Sequence, residues 1–290
     1  MSSFWSWFVI IGTLGSLAAV MALLFGNRQS NAGETTGHAY DGIEEYDNPL
    51  PMWWVGMFVL SVVFAIGYLI WYPGLGSYTG LSGWSSEGQW QRQVDAHEVR
   101  FAPLYAELAQ LDEAGLHASR QAQQVGRRLF INHCSTCHGV TGQGAFGFPN
   151  LTDDDWIWGA GFDRVEHAIR HGLQAAMPGW GGALGETGIT QVSHFVLQLA
   201  GREHDAGAAA AGAEQYRIFC VACHGETGEG NPLLGSPNLT NDIWLYGGSL
   251  AQIAHTLRFG RSGNMPGHAD ILSEEMIHIL AGYVTSLSKP

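Results

Sequence analysis

The sequence predicts a mainly α fold in which two N-terminal transmembrane helices precede a tandem pair of small helical domains. Three observations carry that expectation. Two long uncharged stretches lie before residue 73, a set of short strings recurs at a nearly constant offset in the second half, and the segments between those strings show helical spacing of apolar residues.

The first stretch, Phe4 to Phe25, is long enough to cross a hydrocarbon core of about 30 Å, and Met52 to Trp71 is the second. Trp5, Trp7, Trp53, Trp54, Trp71 and Tyr72 cluster at the ends, as interfacial belts do. Gly56, Ser61 and Gly67 in the second stretch would let a neighbouring helix come close. A cleaved signal peptide is the competing reading of the first stretch, but the basic start, the modest length and the A-x-A site are all missing. The expected division is transmembrane helix 1 over 1–25, a cytoplasmic loop over 26–51, transmembrane helix 2 over 52–72 and a periplasmic connector over 73–118. The connector has Gly/Ser-rich turns up to Gly88 and helical patches around Val94 to Leu111.

Composition narrows the function. The chain has 26 Asp and Glu against 13 Lys and Arg, and Lys289 is its single lysine. An acidic surface does not neutralise phosphates, so nucleic acid is not an expected partner. It suits a protein with a positive docking face, although charge kept for solubility alone would look the same.

All four cysteines lie in two strings, Cys134-Ser-Thr-Cys137-His138 and Cys220-Val-Ala-Cys223-His224, which start 86 residues apart. Much else recurs with them. Gly126 and Phe130 correspond to Gly212 and Tyr216 upstream. Pro149-Asn150-Leu151-Thr152 corresponds to Pro237-Asn238-Leu239-Thr240 downstream, followed by Trp156 and Trp244, Gly159 and Gly247, Arg170 and Arg258, and two Met-Pro-Gly strings at Met177 and Met265. Phe195 and Leu199 correspond to Tyr283 and Leu287. A two-residue insertion separates the copies between the C-x-x-C-H and Pro-Asn-Leu-Thr strings. This is a duplicated domain, expected over 119–203 and 212–290, with an alanine- and glycine-rich linker over 204–211. Each copy reads as a helix ending in C-x-x-C-H, a Gly/Pro-rich loop, a short helix before Met-Pro-Gly, and a closing amphipathic helix such as Glu274 to Leu287.

Cysteines three apart on a helical turn face the same way, so both sulfurs can bond the two vinyl groups of one porphyrin while the next residue, histidine, reaches the iron. Each copy is therefore a cytochrome c domain with a covalent haem c, held by Cys134 and Cys137 in one case and Cys220 and Cys223 in the other. A zinc knot would need the two pairs to converge, and a thioredoxin-like pair would need a βαβ setting. His138 and His224 are the expected proximal ligands, and Met177 and Met265 the expected sixth ligands. Ligation within each copy is the simpler arrangement, and exchange between adjacent copies is also compatible with the spacing. His167 and His255 stand ten residues before each methionine as alternative ligands, though inside the preceding helix. Met276 has no repeat context and reads as core. Two occupied axial positions leave no place for oxygen, peroxide or substrate, which argues for electron transfer rather than catalysis by this chain.

Haem c is attached on the periplasmic side in bacteria, so the domains after residue 72 are expected outside the inner membrane. Arg28 in the 26–51 loop agrees weakly with that topology, in a loop that is otherwise acidic.

Two spans before two such domains, together with Gly37-His38-Ala39-Tyr40-Asp41-Gly42-Ile43-Glu44-Glu45, Asn48-Pro49-Leu50-Pro51-Met52-Trp53-Trp54 and Tyr72-Pro73-Gly74-Leu75-Gly76, resemble the dihaem cytochrome c subunit (CcoP, subunit III) of cbb3-type cytochrome c oxidases over nearly the whole chain. Met52 stands where that family usually has a basic residue. The resemblance implies a subunit that accepts electrons from a donor cytochrome c. It would pass them through a monohaem cytochrome c subunit to a haem–copper catalytic subunit that reduces oxygen and pumps protons. It also implies that His38, Asp41, Glu44 and Glu45 could meet a neighbouring subunit, with a solvated turn as the simpler reading. The competing functions are a tethered dihaem shuttle, the electron-accepting subunit of a periplasmic dehydrogenase, and a dihaem peroxidase. The matched methionines speak against the peroxidase.

Overall fold

The computed structural model describes residues 2–27 and 33–288, so Arg28 and Lys289 lie outside the described residues. The chain forms two compact units, Met1–Val99 and Arg100–Pro290.

In the first unit, helix α1 (Ser3–Gly26) and helix α2 (Met52–Trp71) coincide with the two expected spans. Only 6% and 11% of their most apolar windows are buried by the chain itself. Apolar surface left open to that degree belongs to a membrane span, since the core helix of a soluble domain would be covered. The start of α1 meets the turn after α2. The Ser77 backbone N–H donates to Ser6 Oγ at 2.9 Å, and Gly76 adopts φ +59° where a Cβ would strike Ser6. The glycines of α2, Gly56 and Gly67, touch nothing within 4 Å in this chain, which leaves their close-packing faces uncovered.

The described part of the expected loop, residues 33–51, contains regular structure. Strands β1 (Thr35–Tyr40) and β2 (Ile43–Tyr46) pair as an antiparallel hairpin, with Tyr40 opposite Ile43 and Ala39 opposite Glu44. The turn is Asp41-Gly42, at φ +51° and +82°, the left-handed pair that a two-residue hairpin with native twist needs. Every strand residue is exposed.

Helix α3 (Ser86–Leu108) extends further than the helical patches expected in the connector. In the second unit, Leu108 and Leu116 of α4 (Glu113–Ala118) are buried with Ala122 and Ile279, so the end of the connector is part of a core.

The duplicated domains follow as two runs of the same elements. The first run is α5 (Arg120–His133), α6 (Ser135–His138), α7 (Phe162–His171), strand β3 (Gly172–Met177) and α8 (Gly181–Leu199). The second is α9 (Ala206–Phe219), α10 (Val221–His224), α11 (Leu250–Phe259), β4 (Arg261–Pro266) and α12 (Glu274–Thr285). The expected linker, 204–211, is mostly the opening of α9. Alanine is the strongest helix former, and the Asp205 side chain caps the helix by accepting from Ala208 N–H at 2.7 Å.

The two copies are interlaced. Helix α12 closes the second copy in sequence yet packs on α5 and α7 of the first, while α8 of the first packs on α9 and α11 of the second. One core joins Leu129, Phe130, Val165 and Ile169 to Ile277, Leu280, Ala281 and Val284. The other joins Ile189, Val192, Val196 and Leu197 to Ile253 and Leu257. Two matched glycines let the helices approach. A Cβ at Gly126 would sit 3.1 Å from Tyr283 Cγ, and one at Gly212 would collide with the Gln191 carbonyl. Beside them the rings of Phe130 and Tyr283 lie 5.6 Å apart, and those of Tyr216 and Phe195 5.0 Å apart. Each fully buried aromatic or aliphatic side chain at these crossings contributes roughly 1.5–3 kcal/mol.

The Met-Pro-Gly strings begin at the ends of strands, Met177 closing β3 and Met265-Pro266 closing β4. Strands β3 and β4 form an antiparallel ribbon from different copies, with Leu173 opposite Met265 and Met177 opposite Arg261. Two symmetric clamps fasten the exchange: Arg258 Nη2 meets Glu186 Oε2 at 2.6 Å, and Arg170 pairs with Glu274.

Candidate functional site

Each C-x-x-C-H string sits at the same joint. Helix α5 runs into Cys134, and the short α6 presents Cys137 and His138; α9, Cys220 and α10 repeat this with Cys223 and His224. Cys134 and Cys220 point inward while Cys137 and Cys223 are exposed, and none of the four forms a disulfide. Burial, with the second cysteine close by, pushes the Cys134 and Cys220 thiols up to about 11.

The histidines are prepared as ligands. His138 and His224 are each 8% exposed. Their Nδ1 atoms lie 3.1 Å from the carbonyls of Pro149 and Pro237. A carbonyl only accepts, so Nδ1 carries the proton and donates, leaving the Nε2 lone pair free for a metal. Burial lowers both imidazole pKa values, more than the carbonyl hydrogen bond raises them, which favours the neutral ligand form.

The Pro-Asn-Leu-Thr strings now have a role. Asn150 Oδ1 accepts from Thr152 N–H and Oγ1–H at 3.0 and 2.8 Å, and Asn238 does the same for Thr240 at 2.8 and 2.7 Å. These side-chain turns hold the proline carbonyls against the histidines. The two-residue insertion falls at a loop tip: Ala145 bridges Phe148 in the first copy, and Asn231 bridges Ser236 in the second.

Met265 packs against the core that contains Phe130 and touches Cys134 and Leu151, all of the first copy. Met177 packs against the core of α8 and α11 together with Leu239 and Trp244 of the second. His167 and His255 lie on exposed faces of α7 and α11, their rings against His171 and Phe259 at 4.6 and 4.8 Å, away from both cores. Met276 packs at the first core, as expected. The cysteine pairs stay apart, and among the described residues no group of three or more His, Cys, Asp or Glu could hold a metal ion.

Haem c fits this donor set. Each copy offers two cysteines at one helical joint, an imidazole with a free Nε2, and an apolar wall. A further atom also asks for an outside partner: the indole N–H of Trp244, whose side chain packs against the same core as Met177, is buried with no acceptor in the protein. An unpaired buried donor costs about 1–3 kcal/mol, and a carboxylate-bearing porphyrin would satisfy it. The sequence marked Trp156 and Trp244 as repeat partners but gave them no task.

These are two cytochrome c domains, tied to a pair of apolar helices that anchor them in a membrane. Residues 121–196 and 207–284 match the family model for cytochrome c oxidase, cbb3-type, subunit III, and residues 32–79 match that for the N-terminal domain of cytochrome oxidase-cbb3, FixP. The chain is 39% identical to the cbb3-type cytochrome c oxidase subunit CcoP of Rubrivivax gelatinosus, over 99% of its own length and 96% of the relative's. It is 39% identical to CcoP of Cereibacter sphaeroides over 87% and 94%, and 39% identical to FixP of Azorhizobium caulinodans over 87% and 92%. The chain belongs to the subunit III (CcoP/FixP) family of cbb3-type cytochrome c oxidases.

Proposed function

We propose that this subunit accepts electrons from a periplasmic donor cytochrome c, carries them on two covalent haems c, and delivers them through a monohaem subunit to the haem–copper subunit of its oxidase. Bound haem supplies one-electron Fe(III)/Fe(II) chemistry with little change in charge distribution elsewhere. The protein's part is to hold, orient and shield. Cys134, Cys137, Cys220 and Cys223 attach the porphyrins, and His138 and His224 face the irons through Nε2. The proline carbonyls fix the imidazole planes.

The sixth ligands are exchanged between copies: Met265 serves the haem on Cys134 and Cys137, and Met177 the haem on Cys220 and Cys223. The observation that carries this reading is that Met265 packs against the same core as Cys134 and the residues of α5, while Met177 packs against the core of α8 and α11. A thioether opposite imidazole raises the reduction potential and closes the iron to small ligands. With the haem domains on the periplasmic side, residues 26–51 lie in the cytoplasm.

Purification from membranes tests the function. Co-isolation with a haem–copper subunit, and oxygen consumption driven by reduced donor cytochrome c that stops when this subunit is omitted, is the expected result. A subunit that isolates alone, from an oxidase that works without it, would point to the tethered shuttle.

A further inference from the structure

The haem reading above leaves the carboxylate side of each site unassigned, and there the two copies differ. In the second copy, Trp244 presents a buried, unpartnered indole N–H and packs against the same core as Met177. Arg202, which follows α8 of the first copy, crosses to meet it. Its Nη1 donates to the Gly248 carbonyl at 2.7 Å, and its guanidinium carbon lies 5.9 Å from the centre of the Trp244 rings. Gly248 lies between them. A Cβ at this position would collide with Arg202 Nη1 and come within 2.8 Å of Trp244 Cδ1, the carbon bonded to the indole nitrogen. The guanidinium thus lies over the indole that carries the unpartnered N–H, and both crowd a residue with no room for a side chain. At the corresponding position in the first copy stands Ala160, which carries the methyl group that Gly248 lacks.

We infer that Arg202 and Trp244 form a seat for a carboxylate of the haem attached at Cys220 and Cys223, and that Arg202 raises the reduction potential of that haem alone. The inference rests on the haem reading and assigns a charge partner that the sequence motifs do not reveal. The physics is one of sign. Oxidation adds a positive charge to the iron porphyrin, a fixed cation nearby opposes that step, and the reduced form is favoured. A directed N–H from Trp244 orients the carboxylate, and the guanidinium, with donors left over after Gly248, supplies the charge. Because Arg202 comes from the first copy, the exchange of closing helices is what delivers it.

The experiment is a spectroelectrochemical titration of the full chain in its oxidase complex, with two haems c per chain first verified by pyridine haemochrome. That check separates failure of the haem reading from failure of the inference. Trp244→Phe marks the second-copy component of the titration, and Trp156→Phe marks the other. Arg202→Gln should lower the midpoint of the component that Trp244→Phe moves and leave the other in place, and Arg202→Lys should restore most of the loss. Gly248→Ala, which closes the seat without removing a charge, should shift the same component in the same direction. A shift from Arg202→Gln that disappears in the Trp244→Phe background adds support, since the two would share one carboxylate. An unmoved second-copy component in Arg202→Gln, or movement of both components alike, overturns the inference.

Discussion

The two cytochrome c copies share a scaffold and differ at its edges, and the pattern of difference separates what holds a haem from what tunes it. Both keep the C-x-x-C-H joint, the proline carbonyl on Nδ1, the side-chain turn behind it, the glycine at the helix crossing and the Arg–Glu clamp. Beside Cys220, Trp180 of the first copy and Phe219 of the second pack ring to ring at 5.3 Å. Their repeat equivalents are His268 of the second copy and His133 of the first. The Nδ1 of His268 is buried without a partner, and burial, with His268 nearby, lowers the His133 pKa. The joint at Cys220 is flanked by apolar rings and the joint at Cys134 by titratable ones. Duplication preserved the grip and let the surroundings diverge.

Interlacing makes a claim about dependence: each copy's core is completed by the other's closing helix. The largest expected effect comes from removing α12 by ending the chain at residue 272. Hydrogen exchange should then accelerate in the amides of α5, in the first copy, while α9 keeps its protection under α8. Faster exchange in α9 with α5 unaffected would mean that the closing helices stay with their own copies.

A smaller effect is expected at the crossings. Gly212→Ala places a methyl group against the Gln191 carbonyl, which is backbone and cannot turn aside, so it should cost about 1–3 kcal/mol in denaturant unfolding. Gly126→Ala meets Tyr283 Cβ at 2.5 Å, a shallower clash than that at Gly212, and should cost less. Equal, negligible losses at both positions would show that the helices do not approach so closely.

The smallest effect separates the two joints. His133 has a folded-state pKa below its ordinary 6.5, so the unfolded chain binds the proton more readily. Its neutral form carries no penalty above 6.5. The penalty grows as pH falls through that value and is complete below the depressed one. His133→Phe, the residue of the second copy, should therefore flatten the decline of Tm on acidification below 6.5. An unchanged slope would remove His133 from the account.

Local chemistry was readable from the sequence. The spans, the C-x-x-C-H strings and the duplication all depend on residues near one another in the chain, and the helices that carry the C-x-x-C-H strings lie where the spacing predicts. The Asp41-Gly42 turn and the Asp205 cap ahead of an alanine run are also local signals, masked by surrounding residues whose composition is that of loop and linker. The exchange was not readable in the same way. Strand β3 pairs with a segment some 88 residues later in the repeat, and Gln174, Ala175 and Ala176 have no strong strand preference, so nothing within the segment announces the ribbon. Gly126 and Gly212 were visible as repeat partners, but the helix each one admits belongs to the other copy. A buried indole N–H without an acceptor shows itself only when the neighbours of Trp244 are known.

High-resolution electron density for the haem-loaded chain in its oxidase complex would examine the exchange at its centre, the bond between sulfur and iron. The account predicts Met265 Sδ on the iron whose opposite ligand is His138, and Met177 Sδ on the iron opposite His224. Met177 opposite His138, with Met265 opposite His224, would contradict it.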